Sequence, residues 1–360
     1  MLTQQTAKLA AVQASSVWLD REATVVKACR LIREAGAAGA DIIAFPENFI
    51  PGHPLWFHYR PWGSPECVKM SVRLFKEAVE IPSDAVDALC EAAAVGHIGV
   101  VIGLTERIPN TLGTLYNTQL FISSTGQIIG KHQKLVATLG ERLVHAPGGP
   151  ETQRTFPMGL GTVSALICGE NSNPLALGMI SASYPVVHVA SWPAHVSANA
   201  NGGVRERSLL VSRSTAHMLS CFVISSCSVN SEEMIADVAV TEADKSFLRD
   251  PLQTGGTCIV NPHGQVIAGP MEGNEEGIIY ADVDFDVCIR SRLMLDMAGH
   301  YNRSDVYQLR VNNVPSSLVS TSLSGTAIDH AWALDDGGNT PQPSVAIETG
   351  LTVPSRVDGS

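Results

Sequence analysis

Apolar residues along the chain fall into two alternating patterns: short continuous runs, and longer stretches in which they recur at helical spacing. The first suits buried strands and the second suits helices packed by one face. KLAAVQ (8–13) reads as a strand. Asp20 can cap a helix running through about Gly36, with Val25, Val26, Cys29, Ile32 and Ala35 sharing a face. DIIAF (41–45) reads as a second, buried strand. Further strands are expected at GVVIGL (99–104), TQLFIS (118–123), TVSALIC (162–168), VVHVAS (186–191), FVISS (222–226), TCIVN (257–261) and GIIYADV (277–283). Helices are expected over 66–80, 83–95, 174–183 and 204–219. Strands alternating with helices in this way predict a layered α/β fold.

LFISSTGQIIG (120–130) and CIVNPHGQVIAG (258–269) resemble each other, each reading as a strand, a tight turn with Gly-Gln and a returning strand. Both are expected to be β-hairpins. Two origins stand open: convergence of hairpins on glycine at the turn, or an internal duplication. After about Asn313 the chain turns to Ser, Thr, Gly and Pro with few large apolar residues. The expected organisation is a body over 1–312 and a tail over 313–360 that is irregular or ordered by subunit contacts.

Composition narrows the function. The 360 residues carry 24 Lys+Arg against 35 Asp+Glu, a formal charge of −11, without a basic cluster. Nucleic acid and anionic membrane are therefore not expected partners, since both are held largely through phosphate neutralisation. Charged residues make up 16% of the chain, below the usual ~25%, which points to surface covered by other subunits. Eight cysteines (29, 67, 90, 168, 221, 227, 258 and 288) show no C-x-x-C pair and no close histidine spacing. Neither a zinc site nor a disulfide framework is indicated, and thiols in a reducing compartment fit. KLAAVQASSVWLDRE lacks a basic leader, and no segment supplies ~20 uninterrupted apolar residues, so a soluble cytoplasmic protein is expected. PGGP (147–150) and NGG (201–203) match neither a Walker A loop nor a dinucleotide fingerprint.

Three residues sit where chemistry is done. Cys168 ends the run TVSALIC ahead of NPLAL, a strand-to-helix turn where a thiol can face a cleft while nearby N–H groups favour the thiolate. Glu47 follows strand DIIAF in FPEN, where Pro46 stops sheet pairing; a carboxylate at a buried strand end has its pKa raised and suits a general base. Lys134, in GKHQKL just after the first hairpin, could stabilise an oxyanion. Among the eleven histidines, His132, His145 and His195 lie near these segments, but none has a recognisable Cys–His protease context.

Taken together, FPEN (45–48), GKHQKL (130–135) and LICGEN (166–171) resemble the nitrilase superfamily, whose triad is Glu, Lys and Cys in that chain order. FPENFIPGHP (45–54), HQKLVATLGER (132–142) and ICGENSNPLAL (167–177) extend the likeness, and NPHGQVIAGP (261–270), EGIIYADVDF (276–285) and DMAGHYNRSDVYQL (296–309) are similar to pieces of the true nitrilase branch. The resemblance implies a four-layer αββα sandwich that pairs into an αββααββα dimer and extends into spiral oligomers. It also implies hydrolysis of an organic nitrile to its carboxylic acid and ammonia, with no metal and no cofactor. Carried over, Cys168 is the nucleophile, Glu47 the base, Lys134 the stabiliser of the tetrahedral species, and Glu141 orients Lys134 or shuttles a proton. Release of the amide instead of the acid, amidase activity, and a non-catalytic filament or binding protein are the alternatives.

This chain departs from the branch at two places. Gly169 stands where Trp usually follows the nucleophile, and His145-Ala146 replaces the usual Trp-Gly. If both positions line the pocket, a wall is missing and a larger or shifted substrate fits, unless another large side chain fills the space. His53, Trp56, His145, Gly169, Glu170, Asn171, Trp192 and Pro193 are the candidate pocket residues. Trp56, Phe57, Tyr59 and Trp62 make the first loop aromatic, which suits a bulky arylaliphatic nitrile.

Overall fold

Buried apolar runs pair laterally into two sheets, and amphipathic helices cover their outer faces. The computed structural model describes residues 4–195, 203–273 and 275–314. The strands among them are β1 (Thr6–Gln13), β2 (Ile42–Ala44), β3 (Gly99–Arg107), β4 (Leu115–Ile122), β5 (Ile128–Gln133), β6 (Phe156–Pro157), β7 (Thr162–Ile167), β8 (Val187–Trp192), β9 (Phe222–Cys227), β10 (Cys258–Val260), β11 (Val266–Ala268) and β12 (Gly277–Asp284). The helices are α1 (Arg21–Ala37), α2 (Pro65–Glu77), α3 (Asp84–Gly96), α4 (Pro174–Ser181), α5 (Val204–Leu219), α6 (Glu232–Val238), α7 (Glu242–Arg249) and α8 (Asp286–Met294).

The sheets run β12-β1-β2-β3-β4-β5 and β11-β10-β9-β8-β7-β6. In the first, β1, β2 and β3 are parallel and β4, β5 and β12 antiparallel to their neighbours. In the second, β7, β8 and β9 are parallel and β10, β11 and β6 antiparallel to theirs. The halves thus repeat one topology, and the two similar hairpins occupy the same place in each. Gly126 and Gly264 turn them with φ of 79° and 76°, values glycine adopts freely. Each hairpin also carries a register shift just before the turn, at Phe121/Ile122 and at Ile259/Val260. Turn chemistry alone does not require a matching strand order, so duplication explains the likeness better than convergence.

Side-chain alternation on the strands separates the layers. Leu9, Ala11, Ile42, Ala44 and Val101 of the first sheet meet Val163, Ala165, Val187, Val189 and Ile224 of the second. Ala10, Val12, Ile43, Val100 and Ile102 face α1 and α3 on the outside, while Leu166, Ala190 and Val223 face α4 and α5. This is the expected αββα sandwich.

Near the carboxyl ends of the central strands, serine hydroxyls stitch the sheets together. Ser191 Oγ donates to the Phe45 carbonyl at 2.9 Å, Ser226 Oγ to that of Ala44 at 2.9 Å, and Ser228 Oγ to that of Ala14 at 3.2 Å. Gln119 donates to Ser191 Oγ at 2.8 Å. These bonds hold the loops leaving the two sheets in fixed relation.

The structure departs from the expected elements in several places. Val26 is 70% exposed, because it lies nine positions from Ala35, half a turn round α1. Helix α2 ends at Glu77 since Val79 pairs with Glu106 beside β3. Helices α6, α7 and α8 run seven, eight and nine residues, too short for a period to stand out in the sequence, although Ser231 and Thr241 cap the first two through Met234 N and Asp244 N. The tail expected over 313–360 lies, beyond Val314, outside the described residues. The eight cysteines are unpaired, and no helix among the described residues is long and apolar enough to cross a membrane.

Gly103 sets how closely the Glu47 loop lies on the first sheet. A Cβ there would stand 2.2 Å from the Pro46 carbonyl oxygen and 2.8 Å from Asn48 N, both backbone atoms. Gly103→Ala is expected to destabilise the fold by about 1–3 kcal/mol through overpacking. A lower midpoint in denaturant unfolding is the check, and an unchanged midpoint would show that the loop yields freely.

Candidate active site

Glu47, Lys134 and Cys168 each stand just after the end of a strand, and Glu141 in a turn beyond one. Glu47 follows β2, where Pro46 ends pairing, and its N–H donates to the Trp192 carbonyl at 3.4 Å. Lys134 follows β5, its N–H donating to the Asn117 carbonyl at 2.8 Å. Glu141 stands in a short 3₁₀ turn, Leu139–Leu143, entered through Leu139 with φ 47°. Cys168 follows β7 with φ 50°, a left-handed conformation costly for a residue with a Cβ, and opens the turn Cys168–Ser172 that leads to α4.

The Lys134 ammonium lies 2.7 Å from Glu47 Oε1 and 2.7 Å from Glu141 Oε2, with all three side chains buried. Asn117, on β4, donates through Nδ2 to Glu47 Oε1 at 2.7 Å and to Glu141 Oε1 at 2.6 Å. Glu141 is further held by Thr138 N at 2.9 Å and His145 Nδ1 at 3.0 Å. Glu47 Oε2 is buried without a hydrogen-bond partner among the described residues. One carboxylate oxygen is thus fixed and the other left to accept a proton.

Electrostatics assign different states to the two carboxylates. Burial, reinforced by the neighbouring Glu141, raises Glu47 to about 7 against the pull of Lys134 and Asn117, as its place at a buried strand end predicts. Burial would raise Glu141 too, but Lys134 and His145 hold it well below the usual carboxylate range. Burial opposes the charge on Lys134, yet Glu47, Glu141 and Cys168 keep it well above the usual lysine value. Cys168 is pushed well above the ordinary thiol range by burial and by Glu47; Lys134 and the Gly169 N–H only partly counter this. The expected bias to thiolate is therefore corrected: Cys168 rests as a thiol and needs a base.

Two pocket candidates turn inward instead. Glu170 accepts from Leu135 N at 2.7 Å and Ile167 N at 3.0 Å and contacts His132 Nε2 at 2.8 Å. It ties the residue after Lys134 to the residue before Cys168. Asn171 donates to the carbonyls of Leu166 and Cys168, both at 3.0 Å. His145 is buried behind Glu141, and Trp56 is fully buried, edge-on to Trp18 with ring centroids 5.9 Å apart. Backbone groups of the lysine and cysteine segments hold Glu170 and Asn171, and apolar packing holds Trp56. Trp192 and Pro193 are buried where β8 ends, and His53 Nδ1 lies 4.0 Å from Glu47 Oε1. Trp62 is exposed, while Tyr59 Oη bonds His195 Nε2 at 2.8 Å. Gly169 is open: an added Cβ would meet only Thr138 Oγ1, at 3.8 Å.

Donor atoms of Glu47, His53 and Glu141 lie within 4.8 Å of one another, a spacing a metal ion could bridge. The Lys134 ammonium already supplies a cation to both carboxylates. Asn117 was not anticipated from sequence, although its strand LYNTQLFI buries three consecutive polar residues, Asn117, Thr118 and Gln119, more than an inert core strand would carry.

The chain as a whole is similar to known proteins. The carbon-nitrogen hydrolase family matches residues 8–292. A nitrilase of Bacillus sp. (strain OxB-1) is 35% identical over 82% of this chain and 85% of its own length. An arylacetonitrilase of Aspergillus niger (strain ATCC MYA-4892 / CBS 513.88 / FGSC A1513) is 34% identical over 86% and 93%, and an aliphatic nitrilase of Rhodococcus rhodochrous 33% over 92% and 90%. Among solved structures, a carbon-nitrogen hydrolase from Helicobacter pylori G27 superposes with TM-score 0.66 at 15% identity, over 85% of this chain and 98% of that one.

Removing the charge of Glu141 is expected to lower the pKa of Glu47, because a negative neighbour that disfavours its ionisation is gone. The carboxylate infrared band of Glu47, identified by its loss in Glu47→Gln, should appear near pH 7 in the natural chain and at lower pH in Glu141→Gln. A shift to higher pH would contradict this account of the cluster.

Proposed function

This chain belongs to the carbon-nitrogen hydrolase family, in its nitrilase branch, and from that premise we propose that it hydrolyses an organic nitrile to the carboxylic acid and ammonia, with Cys168 as nucleophile. The observation that carries this reading is the buried Glu47–Lys134–Glu141 cluster, with Glu47 Oε2 unbonded among the described residues.

Glu47, ionised above about pH 7, takes the Cys168 proton as Sγ attacks the nitrile carbon, and the proton passes to nitrogen to give a thioimidate. Water activated by Glu47 adds to that carbon. The tetrahedral species, steadied by the Lys134 ammonium, breaks its C–N bond to release ammonia and leave a thioester. A second water, activated the same way, releases the acid and restores the thiol. Glu141 keeps Lys134 charged and in place throughout. Turnover should therefore rise as pH passes through the Glu47 pKa.

For the substrate we propose a bulky arylaliphatic nitrile. Trp56 is committed to the core, so the proposal rests on the open side of Gly169, where among the described residues an added Cβ meets only Thr138 Oγ1 within 4 Å. We further propose self-association through the outer helices, where Leu175 on α4 and Leu210 on α5 are 65% and 70% exposed. Sedimentation of the full chain should show a dimer or larger; a monomer alone would count against it.

Ammonia, acid and amide measured across aliphatic, aromatic and arylacetic nitriles test the reaction. Acid with equimolar ammonia is expected, abolished in a folded Cys168→Ala. Amide as the main product would favour premature release from the tetrahedral species, and activity surviving Cys168→Ala would remove it as nucleophile. Gly169→Trp should cut kcat/KM for large nitriles more than for small ones. An unchanged profile would show that position 169 does not bound the pocket.

A further inference from the structure

We propose that His188 is a positioning residue for the nucleophile turn, holding Cys168 in its left-handed conformation through Asn171. The inference rests on the reading of Cys168 as nucleophile. His188 stands on β8 opposite Ser164 of β7, fully buried, on the sheet face shared with Leu166 and Ala190 that packs under α4 and α5. An apolar side chain would suit that layer, and burying an imidazole and a hydroxyl there is costly unless every polar atom is bonded.

Every polar atom is bonded, and the contacts fix their direction. Asn171 faces two carbonyls, those of Leu166 and Cys168 at 3.0 Å each, and carbonyls only accept, so its Nδ2 lies there. Its Oδ1 then faces His188 Nε2 at 2.8 Å, which must donate. Burial keeps the His188 ring neutral by lowering it to about 3, so with Nε2 donating, Nδ1 carries no proton and accepts from Ser164 Oγ at 2.8 Å. The relay runs in one sense, Ser164 to His188 to Asn171 to the two carbonyls. One of those carbonyls belongs to the strained residue itself, Cys168 with φ 50°, and the other to Leu166 two residues before it. Without the His188 donor the Asn171 amide loses its orientation, and with it the tie opposing relaxation of the turn. A nucleophile misplaced by about 1 Å can lose roughly a hundredfold in rate.

The test uses the full chain with His188→Leu and His188→Gln. Two readings are taken: kcat and KM for nitrile hydrolysis, and the pH dependence of iodoacetamide alkylation at Cys168, followed by peptide mass spectrometry. His188→Leu should lower kcat roughly ten- to a hundredfold while changing KM less than about threefold, and should displace the alkylation profile. His188→Gln, which can still donate an N–H to Asn171, should recover most of both. A folded His188→Leu with natural kcat and alkylation, or a loss that vanishes when activity is scaled to folded protein, would overturn the proposal. If His188→Leu does not fold, Ser164→Ala carries the test, because it frees the ring to turn; unchanged kcat and alkylation there would overturn it equally. Failure of the natural chain to hydrolyse any nitrile would instead remove the functional reading, and the alkylation profile would still decide the relay.

Discussion

A buried ammonium between two carboxylates is the constraint around which this molecule is arranged. Lys134 Nζ stands 2.7 Å from Glu47 and 2.7 Å from Glu141 with water excluded from all three. Taking such charges out of water is expensive, and removing one partner from a buried group of this kind typically costs roughly 3–5 kcal/mol. The cluster persists because it is bonded from many sides, by Asn117, Thr138 and His145. Burial raises Glu47 to about 7, with Glu141 adding to it against the pull of Lys134, while Lys134 and His145 keep Glu141 ionised. Burial, with Glu47 adding to it, likewise opposes a thiolate at Cys168. A base raised towards neutrality and a thiol held above its ordinary range are therefore two consequences of one buried site, with the charges of the cluster adjusting each.

The double sheet holds that arrangement in place. Glu47, Asn117 and Lys134 come from the first sheet and Cys168 from the second, so catalytic geometry depends on how the two sheets are locked together. Ser191, Ser226 and Ser228 lock them where the strands end, and Glu170 bridges the lysine segment to the cysteine segment. The repeated topology puts strand ends of both halves side by side, which lets a carboxylate after β2 and a thiol after β7 share one site. Rigidity of this kind suits a reaction whose rate depends on placing a nucleophile and a base within a fraction of an ångström.

Much of this was legible in the sequence, for identifiable reasons. Continuous apolar runs marked the central strands, and Pro46 and the Cys168-to-Pro174 stretch marked where two of them stop, so Glu47 and Cys168 stood out by position. The hairpins carried their own turn signal in glycine. What escaped depends on register between segments far apart in the chain. Nothing local announces that Asn117 spans two carboxylates, or that His188 sits opposite Ser164 and reaches Asn171. Adjacency to Cys168 marks Glu170 and Asn171 as pocket candidates, but it does not announce the backbone bonds that each makes to the lysine and cysteine segments. Helices α6 to α8 are too short for a period to appear, and Val26 shows how one misplaced apolar residue survives on a solvent face.

The most direct test of the central claim is the mass of the protein itself during turnover. Acid-quenching the full chain within the first turnovers of a nitrile and mapping its peptides should show an acyl or imidoyl adduct on the peptide carrying Cys168. The adduct should appear before the acid accumulates and decay with it. Product formed with the Cys168 peptide unmodified throughout, or an adduct on another residue, would contradict the account.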